Sequence, residues 1–166
     1  MKKVVYLSLG SNLGDCQANL RNAVGRLLDL GDVIEVSSIY ETEPVDFVDQ
    51  PWFVNCAVAV RTELIPRDFL KGILAIEKSM GRRRTQPKGP RLIDIDILLF
   101  GAQTIQTPDL AVPHPAMAQR RFVLEPLSEI APEVVHPTLK KTIRELRDAL
   151  PRTGPQVAKV SRRQNS

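Results

Sequence analysis

The sequence has no long apolar run, few aromatic residues and only two cysteines. No stretch approaches the roughly 20 apolar residues of a membrane span, so we expect no membrane partner. The N-terminus lacks the apolar segment and cleavage site of a signal peptide, which makes the cytoplasm the expected location. Cys16 and Cys56 belong to no C-x-x-C pair or Cys/His cluster. Their spacing excludes the common zinc patterns and predicts reduced, buried thiols.

Acidic residues are absent from one internal segment, Gly81 to Arg91. It carries five cations, Arg82, Arg83, Arg84, Lys88 and Arg91. Because the net charge of the whole chain is only +4, this local excess indicates an anionic partner at one site. We predict that the segment is a lid over that partner, and a solvated loop or an RNA contact is the alternative.

Hydrophobic periodicity predicts the element order β-α-β-β-α-β. Strands are expected at 4–9, 33–40, 53–60 and 92–100, and helices are expected after Asp15 and from Pro66. This order is that of the ferredoxin-like fold of the α+β class, with an antiparallel sheet and both helices on one face. Shorter helices near 121–130 and 142–150 would be C-terminal additions. We expect one domain over residues 1–150 and a basic, disordered tail over 151–166.

The pair Asp94 and Asp96 is the strongest local signal of chemistry. Side chains alternate along a strand, so both carboxylates should lie on one face while Ile95 and Ile97 face the core. Magnesium prefers oxygen ligands and usually takes one or two carboxylates together with substrate phosphates. Since the acids directly follow the basic segment, a magnesium–polyphosphate ligand fits this pattern. A solvated strand face with two acids remains the alternative.

Other candidate residues are ambiguous when taken singly. Phe53 and Asn55 are two apart on a predicted strand and share a face, where they could hold a flat heterocycle or simply belong to the core. Phe122 has the same two interpretations. His114 lies between two prolines, which stiffen the backbone and fix the direction of the imidazole. This pattern fits either a structural histidine or one that binds a ligand. The Gly10–Gly14 turn lacks the Walker sequence, which excludes a Walker loop. It could still be another type of phosphate-binding loop, or simply a tight connection before a helix.

Two further functional classes fit parts of the sequence. An RNA-binding module would explain the basic segment, but the strand at 53–58 does not match the aromatic-rich strands of such modules. A small-ligand sensor would explain the fold but not Asp94 and Asp96.

Taken together, the motifs resemble the 6-hydroxymethyl-7,8-dihydropterin pyrophosphokinase family of folate biosynthesis. The resemblance runs in order from about residue 4 to about residue 137. It is carried by 10–15 (GSNLGD), 37–44 (SSIYETEP), 50–55 (QPWFVN), 77–82 (EKSMGR), 89–98 (GPRLIDIDIL), 112–115 (VPHP) and 120–127 (RRFVLEPL).

The resemblance implies transfer of pyrophosphate from MgATP to 6-hydroxymethyl-7,8-dihydropterin, with AMP leaving, by a monomer that binds no nucleic acid. Positioning and electrostatics can dominate such a transfer. Two Mg²⁺ ions would be bound by Asp94 and Asp96. ATP would be bound by Glu77, Arg82, Arg84, Arg91, His114 and Arg120. Phe53 and Phe122 would sandwich the pterin, and Asn55, Thr42 and the backbone near Val45 would bond to it. The implied catalytic residues are Arg82, Arg91 and Asp96, the last being the nearest candidate for a general base.

The sequence departs from the family pattern at two places. The family often has a bulky aromatic residue ahead of Gly-Pro-Arg, whereas residues 84–88 here contain none and form a shorter stretch. Contacts from the middle of that segment are therefore not transferred. Glu43 also stands where some relatives have proline, which affects the pterin side.

Overall fold

The computed structural model describes residues 2–43, 51–81, 91–154 and 156–160. Its strands are β1 (Lys3–Ser11), β2 (Asp32–Val36), β3 (Tyr40–Thr42), β4 (Phe53–Thr62), β5 (Asp94–Phe100), β6 (Ile105–Gln106), β7 (Ala111–Val112) and β8 (Val157–Lys159). The main sheet has the order β5-β1-β4-β3-β8, and β2 also pairs with β4. All pairings between named strands are antiparallel.

The sheet confirms the ferredoxin-like arrangement. β2 and β3 follow each other along the same edge of β4 and together occupy the place of the predicted second strand. The prediction of one unbroken strand over 33–40 is wrong, because Ser37 interrupts the ladder. The Ser37 N–H donates to the Ala57 carbonyl (2.9 Å), and the Ala57 N–H donates to the Ser37 hydroxyl (2.8 Å). A side-chain oxygen thus replaces a backbone carbonyl at this point.

Helices α1 (Cys16–Arg26) and α2 (Pro66–Ser79) pack on one face of the sheet. The Asp15 carboxylate accepts the Ala18 N–H (3.2 Å), and Pro66 occupies the first turn of α2, as the sequence predicted. Their buried side chains form one core with alternate residues of β1 and β5, among them Val5, Leu7, Leu9, Leu20, Phe69, Ile73, Ile95 and Ile97. Within the described ranges, every helix is too short or too polar to cross a membrane.

The opposite face is covered by the C-terminal helices α3 (Arg121–Ile130) and α4 (Ile143–Asp148). A second core forms there from Leu98, Leu99, Met117, Leu124, Leu127 and Leu146 together with neighbouring residues. The prediction of C-terminal additions is therefore confirmed. RNA-binding modules of this fold present an open sheet face to bases, so this packing removes the structural basis for that alternative.

The prediction of a disordered tail after residue 150 is wrong for residues 157–159. This segment forms β8 and pairs with β3, with Val157 opposite Thr42 and Lys159 opposite Tyr40. The polar, basic composition of this segment does not predict a strand. The strand forms because its backbone bonds to β3, which is distant in sequence.

The side chain of His136 stabilises the turn after α3 through hydrogen bonds to backbone N–H groups. Its Nδ1 accepts the N–H groups of Thr138 (3.2 Å) and Leu139 (3.0 Å), and the side chain is buried. Burial lowers the pKa of His136. The unfolded chain therefore binds more protons between the ordinary histidine pKa of about 6.5 and the lowered folded value.

We expect the free energy of unfolding to fall as the pH drops through that window, because protonation removes the Nδ1 acceptor. Thermal unfolding at several pH values between 7.5 and 5 measures this loss. His136→Asn keeps an acceptor without a proton equilibrium, so its unfolding should depend less on pH. Identical pH profiles for the two proteins would contradict this account.

Candidate functional site

One cleft of about 1740 Å³ gathers ten of the predicted site residues. They are Thr42, Phe53, Asn55, Glu77, Arg91, Asp94, Asp96, His114, Arg120 and Phe122. The other three, Val45, Arg82 and Arg84, lie outside the described residues, as does most of the predicted lid. The full lining of the cleft runs from Ser8 to Val157 and so draws on most of the chain.

One cross-strand row organises the floor of the cleft. Tyr40 of β3 pairs with Asn55 of β4, Asn55 with Gly10 of β1, and Gly10 with Asp94 of β5. Directly paired residues have side chains on the same face, and neighbouring strands lie about 4.8 Å apart. The Asn55 amide and the Asp94 carboxylate are therefore on one face, two strands apart, roughly 10 Å across the sheet.

Gly10, at the centre of this row, is required by the close approach of Asn55. A Cβ at position 10 would lie 2.9 Å from Asn55 Nδ2 and 3.6 Å from Phe53 Cδ1. The missing side chain therefore leaves room for the two groups that were predicted to contact the pterin. The Gly10–Gly14 turn was interpreted as either a phosphate loop or a tight connection, and neither interpretation predicts this role for Gly10.

Gly10→Ala should weaken pterin binding by about 10-fold or more, because displacing a packed side chain typically costs about 1–3 kcal/mol. Nucleotide affinity should change much less, since the clash is with the Asn55 amide, while Phe53 at 3.6 Å would be in ordinary van der Waals contact. Isothermal titration of each ligand measures both. Gly25→Ala is the matched control, because a Cβ there meets nothing within 4 Å. Equal losses for both ligands would show that the whole sheet had shifted.

The two aspartates of β5 lie on the cleft side of the sheet. Asp94 is opposite Gly10 and Asp96 is opposite Ser8, while Ile95 is buried in the core on the other face. The Arg91 guanidinium donates to Asp94 through Nη1 at 3.1 Å. The acids and this cation therefore form one charged group at the cleft wall.

Glu77, at the end of α2, fixes the strand that carries the aspartates. It is only 4% exposed, and its Oε2 accepts the Ile95 N–H at 2.8 Å. Ile95 lies between Asp94 and Asp96, so this bond positions the backbone on which both carboxylates depend. The resemblance had suggested a nucleotide contact for Glu77, and the geometry adds this support of β5.

His114 is held as a neutral donor. Its backbone N–H donates to the Leu98 carbonyl (2.9 Å), and its Nδ1 accepts the Ala116 N–H (3.1 Å). Burial and the nearby Arg120 lower the pKa of His114, although Asp94 acts in the opposite direction. Since Nδ1 is an acceptor, the neutral ring carries its proton on Nε2, which suits a hydrogen bond to an anion rather than proton transfer.

The end of the cleft at Thr42 and Asn55, which is the predicted pterin end, contains two buried polar atoms that no described residue satisfies. Thr42 Oγ1 and Asn55 Oδ1 have no hydrogen-bond partner, and their side chains are only 3% exposed. Buried polar atoms are normally paired, so two unpaired atoms lining one cleft indicate a ligand with complementary polar groups. Phe53 and Phe122 line the same cleft, and Arg120 lies 5.5 Å from the centre of the Phe122 ring.

Asn12 was missed by the sequence analysis. This side chain, 1% exposed, donates to the Pro51 carbonyl (3.1 Å) and accepts the Arg91 N–H (2.7 Å). It thereby joins the end of β1 to the chain entering β4 and to the segment that leads into β5, the strand of Asp94 and Asp96. Only its place in a glycine-flanked turn was visible in the sequence, and that pattern does not reveal distant backbone partners.

Helix α2 and the β6–β7 hairpin, neither strand of which was predicted, also line the cleft. The residues that they contribute include the apolar Leu70, Leu74, Ile105 and Leu110 together with the polar or charged Arg67, Lys71, Thr107 and Asp109. Apolar walls with a few polar groups are typical of small-molecule sites.

Comparison with known proteins identifies close relatives. Residues 6–132 match the family described as 7,8-dihydro-6-hydroxymethylpterin-pyrophosphokinase (HPPK). The chain is 47% identical over 136 residues to the 2-amino-4-hydroxy-6-hydroxymethyldihydropteridine pyrophosphokinase of Bacillus subtilis, covering 81% of each protein. It is 39% identical to the enzyme of the same name from Aquifex aeolicus, covering 86% of this chain and 89% of that one.

Longer proteins also match. The folic acid synthesis protein FOL1 of Dictyostelium discoideum is 46% identical over 151 residues, which are 91% of this chain but only 23% of that protein. A crystal structure of an HPPK-DHPS in complex with substrates superposes with a TM-score of 0.73 at 19% identity, covering 90% of this chain and 43% of that one. This structural similarity supports the assignment of the fold.

Proposed function

Since the chain belongs to the 7,8-dihydro-6-hydroxymethylpterin-pyrophosphokinase family, whose activity is the transfer of pyrophosphate from ATP to hydroxymethyldihydropterin, we propose that the cleft described above is where this transfer occurs. The pterin would lie at the Thr42–Asn55 end, and ATP would lie across β5 toward the β6–β7 hairpin. A single observation carries this proposal: Asn55 and Asp94 belong to one cross-strand row in one cleft, with only Gly10 between them.

The donor set on β5 fits Mg²⁺. Asp94 and Asp96 are hard oxygen ligands on one face, and a cation between them relieves their mutual repulsion. They would hold two Mg²⁺ ions with the ATP phosphates. Bound magnesium would neutralise phosphate charge and link the phosphates to the carboxylates. Glu77 would keep β5 in place through Ile95.

The basic side chains would bind and orient the phosphates. Arg91, already paired with Asp94, would reach the phosphates from the start of β5, and Arg120 from the start of α3. His114 would donate its Nε2–H without changing protonation state. Arg82 and Arg84 keep the role that the resemblance implies for them.

The reaction itself would depend mainly on positioning. Phe53 and Phe122 would hold the pterin ring, and Asn55 and Thr42 would fix its polar edge, so that the hydroxymethyl oxygen faces the β-phosphorus. That oxygen forms a bond to the β-phosphorus as the bond to the AMP oxygen breaks. Asp96, the candidate general base on the cleft face of β5, would take the alcohol proton. The proposed enzyme is cytoplasmic and monomeric, and its single domain includes β8, which pairs with β3 in the main sheet.

The test is to identify the products. Purified protein with ATP, Mg²⁺ and hydroxymethyldihydropterin should release AMP in step with a pterin diphosphate, measured by chromatography and ³¹P NMR. Omitting the pterin is the control and should give no AMP. Accumulation of ADP would mean transfer of a single phosphoryl group and would contradict the proposal.

A further inference from the structure

The C-terminal strand β8 adds a wall to the pterin end of the cleft. Val157 pairs with Thr42 on β3, and Thr42 pairs with Phe53 on β4. These three residues form a second cross-strand row, and all three line the cleft. Paired residues share a face, so the half-buried Val157 side chain stands on the same side as the groups proposed to hold the pterin. Val157 lies beyond residues 6–132, to which the family match is confined.

β8 is attached to β3 on both sides of the pairing. The Glu43 N–H donates to the Gln156 carbonyl (3.0 Å), and the Gln156 N–H donates to Glu43 Oε1 (3.1 Å). At the other end, the Val160 N–H donates to the Ile39 carbonyl (2.8 Å). These bonds fix the position of Val157 along the edge of the cleft.

A carboxylate of α3 ties this edge to the helix that carries Phe122. Glu129 Oε1 accepts the Tyr40 hydroxyl (2.6 Å), and Glu129 Oε2 accepts the Ser38 N–H (2.9 Å). Lys159 of β8 lies 4.0 Å from Glu129 Oε1. These contacts connect β8, β3 and α3. They therefore fix the position of Val157 on β8 relative to that of Phe122 on α3.

The connection between α4 and β8 runs along the same wall. Leu150, Pro151 and Thr153 line the cleft, and Arg121 Nη2 donates to the Pro151 carbonyl (2.8 Å). The approach to β8 is therefore anchored next to Phe122 as well.

We propose that Val157 is a specificity-determining residue for the pterin substrate, forming the outer apolar wall of its pocket opposite the ATP side. This inference rests on the proposed function. A pterin in the pocket would have Thr42 and Asn55 at its polar edge and Val157 beside its outer rim. A charge at position 157 should therefore oppose pterin binding, while ATP, on the far side of the Asn55–Asp94 row, should be unaffected.

The test compares Val157→Asp with Ala158→Asp. Ala158 is exposed on the opposite face of the same strand, where its cross-strand partner is Glu41. Its variant therefore carries the same charge and, because like charges then lie opposite each other, disturbs the strand at least as much. With Val157→Asp, the KM for hydroxymethyldihydropterin should rise at least about 10-fold, while the KM for MgATP and kcat stay within about twofold, as expected when an apolar contact to one substrate is lost. Ala158→Asp should leave all three values within about twofold of wild type.

Val157→Ala gives a milder second test if Val157→Asp disturbs folding, which circular dichroism would detect. Its KM for the pterin should rise roughly threefold to tenfold through lost apolar contact. An unchanged pterin KM in folded Val157→Ala, or equal changes in Val157→Asp and Ala158→Asp, would overturn the role of Val157 while leaving the proposed function intact. Failure of the wild-type protein to form AMP from ATP and the pterin would overturn both.

Discussion

Asp96→Asn is expected to lower kcat by at least about 10³-fold, equivalent to about 4 kcal/mol of transition-state stabilisation. The substitution removes one of the two carboxylates on the cleft face of β5 and conserves its size. Magnesium would then lack a charged ligand at the point where the phosphates meet the strand. Steady-state rates measured over a range of Mg²⁺ concentrations should show both a lower maximum and a requirement for more metal.

Pterin binding should be nearly unchanged in this variant, because Asn55 and Thr42 lie on the other side of Gly10 from β5. Titration of the pterin without nucleotide checks this separation. Asp32→Asn, at the far edge of the sheet on β2, is the control for removing an acid and should retain wild-type rates. Turnover of Asp96→Asn within a few-fold of wild type would leave the solvated-face interpretation of the two acids as the better one.

The parts of the fold that could be predicted are those in which a long apolar pattern determines the element. Helix α1 and the strands of the central sheet have such patterns, and their order specifies the topology. The missed elements are short. β6, β7 and β8 have two or three residues each, too few for a period to show, and β8 exists because β3 supplies its backbone partners.

The site shows a similar division. Asp94 and Asp96, and likewise Phe53 and Asn55, could be assigned to one face from strand alternation, and the cations of the Gly81–Arg91 segment indicated an anionic partner. The specific roles of these and the other predicted residues depended on the family resemblance. Neither route could show that Glu77 bonds to the backbone between the two aspartates or that Asn12 joins Pro51 to Arg91. These contacts are made to backbone atoms, which every residue possesses, so side-chain identity carries no sign of them.

The second large effect is expected from the unsatisfied polar atoms at the proposed pterin end of the cleft. Asn55→Leu should reduce pterin affinity by at least about 100-fold, because a pocket built to hydrogen-bond a ligand loses strongly when the bonding group is removed. Yet it should not destabilise the free protein. Asn55 Oδ1 is buried without a described partner, and an unsatisfied buried polar atom costs about 1–3 kcal/mol, so an apolar group of similar shape removes that cost. Thr42→Val should behave similarly with a smaller loss of affinity.

Ser37→Ala is the contrasting control for these two variants. Its hydroxyl is also buried, but in the free protein it accepts the Ala57 N–H (2.8 Å) and donates to the Ser38 carbonyl (2.7 Å). Removing it leaves a buried N–H unpaired, so unfolding should become easier by about 1–3 kcal/mol while pterin affinity changes little. Chemical denaturation and pterin titration of the three variants therefore separate two kinds of buried polar atom. If Asn55→Leu and Thr42→Val lose as much stability as Ser37→Ala, the polar atoms of Asn55 and Thr42 stabilise the free protein. That result would contradict their assignment to ligand binding.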